Sequence, residues 1–146
     1  MVDVVDQATR SRMMAGIRSK HTRPEVALRR ALHARGLRFR LHDRRLPGAP
    51  DIVLPKWGTV ILVQGCFWHR HEGCRYASVP ATRPEFWLQK FDQNVTRDRG
   101  NQIRLREQGW RTALVWECAI WNMGASVIAG TVHGWLKGSE STLTVD

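Results

Sequence analysis

The stretch PDIVLPKWGTVILVQGCFWHR, residues 50–70, contains the clearest strand pattern in the chain and much of its candidate chemistry. Residues 52–54 and 59–63 are almost wholly apolar, and a Lys-Trp-Gly turn at residues 56–58 separates them. Short apolar runs bounded by turn residues favour strands that are buried on both faces. We therefore predict a hairpin whose second strand lies at the centre of a sheet.

Helices are predicted on both sides of this hairpin. The tetrapeptide TRPE at residues 22–25 is a capping box with proline in the first turn, and it predicts a helix that ends at Gly36. The same tetrapeptide at residues 82–85 predicts a second, long helix that ends at Gly109. Alternating apolar residues predict a short strand before the hairpin at residues 37–41, a fourth strand at 110–116, and a weakened closing helix at 127–136.

The resulting order, αβββαβα, predicts an α/β fold with a mixed sheet flanked by helices. The chain length of 146 residues suits one domain, which we place at residues 23–146. Residues 1–22 carry several cations around Met14 and Ile17, and they are predicted to form a basic arm that contacts DNA. A solvated leader is the alternative for this segment.

Charge points to a polyanionic partner. The chain has 23 Lys and Arg against 13 Asp and Glu, and 19 of the cations are Arg, whose planar group pairs with two phosphate oxygens at once. Nucleic acid fits this composition better than a membrane, because no stretch approaches the roughly 18 consecutive apolar residues of a spanning helix. We expect an intracellular protein whose cysteines are reduced.

Three cysteines and a histidine indicate a structural zinc site. Cys66, His71 and Cys74 lie in one short segment, and Cys118 follows the fourth strand. Thiolates with one imidazole suit a closed tetrahedral Zn²⁺ site, which would organise an aperiodic segment too long to be structureless. His69 is a competing ligand, and ordinary buried thiols are the alternative reading.

Asp51 is the candidate ligand of a catalytic Mg²⁺. In nucleases of the PD-(D/E)xK type, an aspartate at this place on the hairpin binds the metal, and the backbone carbonyl of Val63 could supply another oxygen. The acidic residue and lysine expected on the next strand are missing, since the strand ends in Val63-Gln64-Gly65. Taken alone, Asp51 is more often a turn residue after Pro50.

His69 follows the end of the same strand and could take a proton from the attacking water. Its alternative is a satisfied or metal-bound histidine. Glu25 could face the same metal, although it already has a role in the capping box. Asp98 is ambiguous in the same way, because an acidic residue on a basic helix usually pairs with neighbours such as Arg97 or Arg99.

Large aromatic side chains flank these groups. Phe67 and Trp68 stand between Cys66 and His69, and such rings can enter a base step and unstack it, which costs least at a mismatched pair. Trp87, at the start of the second long helix, could act with them or could pack in the core. Met14 and Ile17 could insert from the opposite groove.

These residues together resemble the very-short-patch-repair (Vsr) mismatch endonuclease family. The resemblance covers about residues 5–121 and is carried by the segments ATRS at 8–11, LPG at 46–48, PD at 50–51, GCFWH at 65–69, PATR at 80–83, FW at 86–87 and VWEC at 115–118. It implies a restriction-endonuclease-like fold with a structural zinc. It further implies Mg²⁺-dependent nicking 5′ of the T in a T:G mismatch left by deamination of 5-methylcytosine.

The resemblance also implies roles for individual residues. By carry-over, Asp51 binds Mg²⁺ and His69 is the catalytic base. The remaining assignments are Glu25 and Asp98 as supports of the site, Cys66, His71, Cys74 and Cys118 as zinc ligands, Phe67, Trp68 and Trp87 as the major-groove wedge, Met14 and Ile17 as the minor-groove contact, and Lys90 and Asn94 as contacts to the mismatched pair.

Two departures from the family pattern bear on activity. Val63-Gln64 stands where the family has Thr followed by His or Asp, and an amide carries no charge and is no base at neutral pH. Gly73 adds a residue between His71 and Cys74. The alternative function is therefore a zinc-stabilised mismatch-binding protein whose nuclease centre has decayed.

The expected partner is duplex DNA with a T:G mismatch, bound by a monomer without membrane association. Because the mismatch arises from 5-methylcytosine, the resemblance also points to a functional link with a cytosine-5 methyltransferase. The expected location is the bacterial cytoplasm, at the nucleoid.

Overall fold

The computed structural model describes residues 20–146. The predicted basic arm, including Met14 and Ile17, lies outside these residues except for its last three positions. Within the described part, no helix is both long and apolar enough to cross a membrane.

The secondary structure of residues 20–146 runs from a helix to a strand. In chain order the elements are α1 (Arg23–Ala34), β1 (Arg40–Leu41), β2 (Ile52–Leu54), a 3₁₀ turn (Pro55–Trp57), β3 (Thr59–Gln64), α2 (Cys66–His69), α3 (Pro84–Glu107), β4 (Arg111–Trp116), α4 (Glu117–Met123), α5 (Ala125–Leu136) and β5 (Thr142–Val145).

One mixed sheet joins all five strands in the order β1-β2-β3-β4-β5. The predicted hairpin is confirmed, since β2 pairs antiparallel with β3, with Ile52 opposite Ile61. The pairs β3–β4 and β4–β5 are parallel, and α3 makes the crossover between β3 and β4. The carboxyl ends of β3 and β4 therefore lie side by side, with Gln64 opposite Trp116.

Alternation along the strands divides the core into two layers. Ile61 and Val115 point to one face, where they pack with Leu28 of α1 and Ile128 of α5 in the main core. Val60, adjacent in sequence to Ile61, points to the other face and packs with Val53 and Leu105. Helices thus cover both faces of the sheet, as the α/β prediction requires.

Two local predictions need correction, and one strand was missed. Thr82 was expected to cap α3, but the cap is Arg83, which has a φ of 55° and makes no side-chain capping bond. The predicted closing helix is the second of two helices, since Glu117–Met123 is already helical and Gly124, with a φ of 88°, separates α4 from α5. The strand β5 was not predicted; its pattern is weak, and its pairing with β4 supplies the stability that its four residues lack.

The first cap is as predicted. The Thr22 hydroxyl accepts a hydrogen bond from the Glu25 amide at 3.4 Å, and α1 ends at Ala34, two residues before Gly36.

Candidate active site and metal centre

A cleft of about 700 Å³ opens where β2 begins and β3 ends. The fold brings candidate residues from four elements to its walls, because the ends of antiparallel β2 and β3 meet at this edge and α3 passes over it. The lining includes Asp51, Val63, Phe67, Trp68, His69, Asn94 and Asp98.

Asp51 is fixed at the floor of this cleft by the neighbouring strand. The Val63 amide donates to Asp51 Oδ2 at 2.8 Å. The amide and the carbonyl of one strand residue point toward the same neighbour, so the Val63 carbonyl faces the same side as the carboxylate. Both atoms are oxygen donors of the kind that Mg²⁺ prefers.

The pKa of Asp51 is raised to about 7, chiefly by burial and in part by the nearby Glu25 carboxylate, against the opposing effects of the Val63 amide and His69. A carboxylate in this position is stabilised in its ionised form by a cation. Asp51 is therefore better suited to hold a metal than to serve as a turn residue alone.

His69 and Asp98 form a close pair across the cleft. His69 Nδ1 lies 2.6 Å from Asp98 Oδ2, and the Asp98 side chain is 14% exposed. A carboxylate accepting from Nδ1–H orients the ring and leaves Nε2 as the nitrogen able to take a proton. Asp98 thus pairs with His69 rather than with Arg97 or Arg99, the partners that the sequence suggested.

Glu25 is buried, with only 2% of its surface exposed, and two side chains satisfy its charge. Arg29 Nη1 donates to Glu25 Oε2 at 2.9 Å, and His42 Nε2 lies 3.1 Å from the same oxygen. The capping role does not explain this burial, because the cap uses the amide of Glu25 and not its side chain.

The cysteine and histidine cluster is assembled as the spacing predicted. One ligand atom from each of Cys66, His71, Cys74 and Cys118 lies within 4.8 Å of the others. His71 Nδ1 is 3.4 Å from Cys118 Sγ and 3.7 Å from Cys66 Sγ. Zn–S and Zn–N bonds of about 2.3 and 2.1 Å in a tetrahedron place sulfur and nitrogen about 3.6 Å apart, so these residues fit a zinc ion.

Two neighbours hold the His71 ring in place. The Trp116 ring stacks on it at 4.3 Å, and Asp146 Oδ2 lies 3.3 Å from its Nε2. A carboxylate behind a ligating imidazole fixes the ring and increases its basicity. The structure therefore brings His71, and not His69, to the cysteines.

Burial raises the pKa of the Cys66 thiol to about 12, so without a cation this residue favours its neutral thiol. Metal binding requires thiolates and must release protons. The adjacent Glu117 accepts from the Cys66 amide at 3.0 Å and also lines the cleft, which connects the cluster directly to the Asp51 site.

The aromatic residues form one packed group, the aromatic cluster, which comprises Phe67, Trp68, Phe86, Trp87 and Phe91. Phe67 and Trp68 are partly exposed beside the cleft. Trp87 is 8% exposed and packs beneath them, as its core alternative predicted.

Arg70 joins the aromatic cluster to the segment that follows α2. Its guanidinium donates to the backbone carbonyls of Phe67, Ala77 and Ser78 at 3.0, 2.6 and 3.0 Å. It also lies 4.0 Å from the centre of the Phe91 ring. Burial lowers the pKa of this guanidinium.

Two residues predicted to touch the mismatched pair lie beside Trp68. Asn94 Nδ2 donates to the Trp68 carbonyl at 3.1 Å, and Lys90 Nζ is 6.0 Å from the centre of its ring.

Four residues of the site were not identified from the sequence: His42, Arg70, Glu117 and Asp146. Glu117 carried a usable signal, since a carboxylate directly precedes the ligand Cys118. The other three act through partners 17, 7 and 75 residues away. The spacing of residues in the sequence does not reveal contacts of this kind.

Comparison with known proteins gives consistent matches. A sequence model of the family described as DNA mismatch endonuclease Vsr matches residues 2–75. The DNA mismatch endonuclease Vsr of Escherichia coli is 42% identical over 149 residues, which covers 100% of this chain and 95% of that protein. The Type II nicking enzyme V.XorIIP of Xanthomonas oryzae is 46% identical over 86% of this chain and 91% of its own length. V.NmeAIP, a Type II nicking enzyme of Neisseria meningitidis, is 41% identical over 84% and 86%.

Proposed function

This chain belongs to the DNA mismatch endonuclease Vsr family, and we propose that it nicks one strand of duplex DNA on the 5′ side of the T in a T:G mismatch. As a member of this family it is a nuclease that acts on DNA. The product of 5-methylcytosine deamination is the proposed substrate, and Mg²⁺-dependent phosphodiester hydrolysis is the proposed reaction.

The observation that carries the proposal is the position of Asp51 and the His69–Asp98 pair in one cleft. In the proposed reaction His69 takes a proton from the attacking water at Nε2, because Asp98 engages Nδ1. Asp51 and the Val63 carbonyl would hold Mg²⁺, which would act as a Lewis acid and offset the charge of the scissile phosphate. Arg29 and His42 hold the Glu25 carboxylate near Asp51, and the negative charge of Glu25 favours a cation there.

Zn²⁺ is the proposed occupant of the Cys66, His71, Cys74 and Cys118 site, in a structural role. Its support is the match of sulfur to nitrogen distances with a tetrahedral zinc. All four positions are filled by protein atoms, so no open position remains for a reacting water. The ion would fix the position of α2 and would therefore keep His69 at the cleft.

Recognition of the mismatch is proposed to use the aromatic cluster. Phe67 and Trp68, the partly exposed rings that line the cleft, are proposed to enter the major groove, with Trp87 supporting them from below. Lys90 and Asn94 would then stand next to the mismatched pair. Unstacking costs a few kcal/mol and costs least at a mispair, so insertion favours damaged sites. Met14 and Ile17 of the basic arm are proposed to contact the minor groove.

The family also supports a wider setting for the enzyme. We infer a restriction-endonuclease-like core, a single domain over residues 23–146 and a monomer, since one nick in one strand needs no two-fold symmetry. The named relatives are bacterial. Action at the nucleoid in the cytoplasm, beside a cytosine-5 methyltransferase, is the corresponding proposal.

The competing function is mismatch binding without cleavage, which Gln64 favours because its neutral amide replaces a family His or Asp. An Asp51→Asn variant separates the two. An enzyme loses cleavage of a T:G duplex by about a thousandfold or more and keeps its binding affinity, as expected when a metal ligand is removed. A binding protein shows no cleavage before or after the change. Asp92→Asn, an exposed acid-to-amide change on α3, is the matched control.

A further inference from the structure

A second group of metal-ligating side chains lies beside the cleft, outside the Cys/His cluster, and one of its members, His42, lines the cleft. One ligand atom from each of His21, Glu25 and His42 lies within 4.8 Å of the others. Glu25 is nine-tenths or more buried, and its carboxylate lies 3.1 Å from His42 Nε2 and within 4.8 Å of a ring nitrogen of His21. The nuclease reaction proposed above gives His42 only the contact that holds Glu25 and gives His21 no role, and the capping of α1 uses neither histidine.

The spacing of these donors suits a metal ion. His42 Nε2 is 3.1 Å from Glu25 Oε2, whereas a tetrahedral ion with metal–ligand bonds of about 2.1 Å requires about 3.4 Å. The His21 and His42 rings lie edge to face, with their centres 5.0 Å apart, so the two imidazoles are near enough to share one ion.

The position between these ligands already attracts a cation. Arg29 Nη1 lies 2.9 Å from Glu25 Oε2 and 2.9 Å from His21 Nδ1. A metal ion at this point would need each bond to shorten to about 2.1 Å and the guanidinium to leave. Arg29 can leave, because its side chain is 20% exposed and ends a flexible stem.

We propose that His21, Glu25 and His42 form a binding site for a divalent first-row transition-metal ion, separate from the Asp51 position. Two imidazoles and one carboxylate select zinc, cobalt or iron over Mg²⁺, which prefers oxygen donors. Three protein ligands leave an open coordination position. Since His42 and Asp51 line the same cleft, the ion adds positive charge to a cleft in which Gln64 supplies a neutral amide.

The test uses full-length protein whose Cys/His site has been filled with one equivalent of zinc. Co²⁺ is then titrated and followed by its visible absorption. The expected result is one further equivalent with weak ligand-field bands and no thiolate charge-transfer band, which distinguishes it from cobalt in the cysteine site. Millimolar Mg²⁺ should not displace it.

Substitutions assign the second equivalent to this site. His21→Ala and His42→Ala are each expected to weaken it about tenfold or more, whereas His33→Ala, an exposed histidine of α1, should leave it unchanged. Arg29→Gln should bind cobalt more tightly, because the competing cation is gone. His21 is exposed, so its variant tests the site even if His42→Ala fails to fold.

The proposal is overturned if no second equivalent binds. It is also overturned if that equivalent survives both His21→Ala and His42→Ala, or carries a thiolate charge-transfer band. Since the readout is metal binding and not cleavage, failure here leaves the nuclease proposal standing, and failure of the nuclease proposal leaves this site standing.

Discussion

The environment of Asp51 makes metal binding in the cleft depend on pH. Burial raises the pKa of this carboxyl to about 7, so a proton and a metal ion compete for it near neutral pH. Mg²⁺ binds the ionised form. The bound state is therefore favoured above pH 7 and is lost as the pH falls below it.

We expect the Mg²⁺ concentration for half-maximal nicking to rise about tenfold for each pH unit below 7. Single-turnover nicking at several Mg²⁺ concentrations between pH 5.5 and 8 measures this. If the half-maximal Mg²⁺ concentration does not change with pH, then Mg²⁺ does not compete with a proton for Asp51.

Arg70 is a positioning residue, because its donors bind backbone carbonyls and its plane packs on Phe91. Arg70→Ala and Arg70→Lys are both expected to lower the single-turnover nicking rate about tenfold or more while the affinity for undamaged duplex changes little, since a lysine cannot reproduce three bonds in one plane. Arg75→Ala, an exposed cation in the same segment, is the control. Full activity in Arg70→Lys would mean that only the charge matters.

The sequence identified the residues whose chemistry is unusual by itself. Asp51, His69 and the Cys/His ligands stand out by type and spacing, and the structure brings each group together. Arg70 did not stand out among 19 arginines, because a guanidinium that binds carbonyls leaves no pattern in the sequence. His42 was missed for the same reason, since its partner Glu25 lies on another element.

At the scale of elements, local signals predicted β2, β3, β4 and the first helix well. The apolar runs of the hairpin specify buried strands, and the TRPE box at residues 22–25 specifies a helix start. The same tetrapeptide at residues 82–85 failed as a cap, because Arg83 has a left-handed backbone there and α3 starts one residue later. Tertiary packing with α2 and the aromatic cluster fixes that start instead.

Metal is expected to stabilise a particular segment. Residues 66–78 contain one short helix of four residues, and besides the packing of Phe67 and Trp68 in the aromatic cluster, the Cys/His site and Arg70 hold this segment in place. Removing zinc with a strong chelator should increase amide hydrogen exchange in residues 66–78 far more than in β2 and β3. Equal protection with and without metal would show that the segment is ordered by packing alone.

Thr112 of β4 tests the packing of the sheet. Its hydroxyl is buried and has no hydrogen-bond partner among residues 20–146, which costs free energy. Thr112→Val keeps the shape and removes the unpaired group, so the free energy of unfolding is expected to rise by about 1 kcal/mol in denaturant titration. Thr144→Val, exposed on β5, is the control, and a loss of stability in Thr112→Val would contradict the burial of an unpaired hydroxyl.

At the scale of the whole molecule, the sheet places two kinds of site along one edge. The carboxyl ends of β3 and β4 lead to His69 and to Cys118, and Glu117 bridges them through the Cys66 amide. The long helix α3 adds Asp98 and Asn94 from above. The chain as a whole carries a formal charge of +10, which suits it to bind a phosphate backbone.

The most direct test is strand-specific nicking with Mg²⁺. Two end-labelled duplexes that differ only by T:G in place of C:G are incubated with the protein, with EDTA and Asp51→Asn as controls. We predict one nick, 5′ of the mismatched T, in the T:G duplex alone and in neither control. Tight mismatch binding without a nick, or equal cutting of both duplexes, would contradict the account.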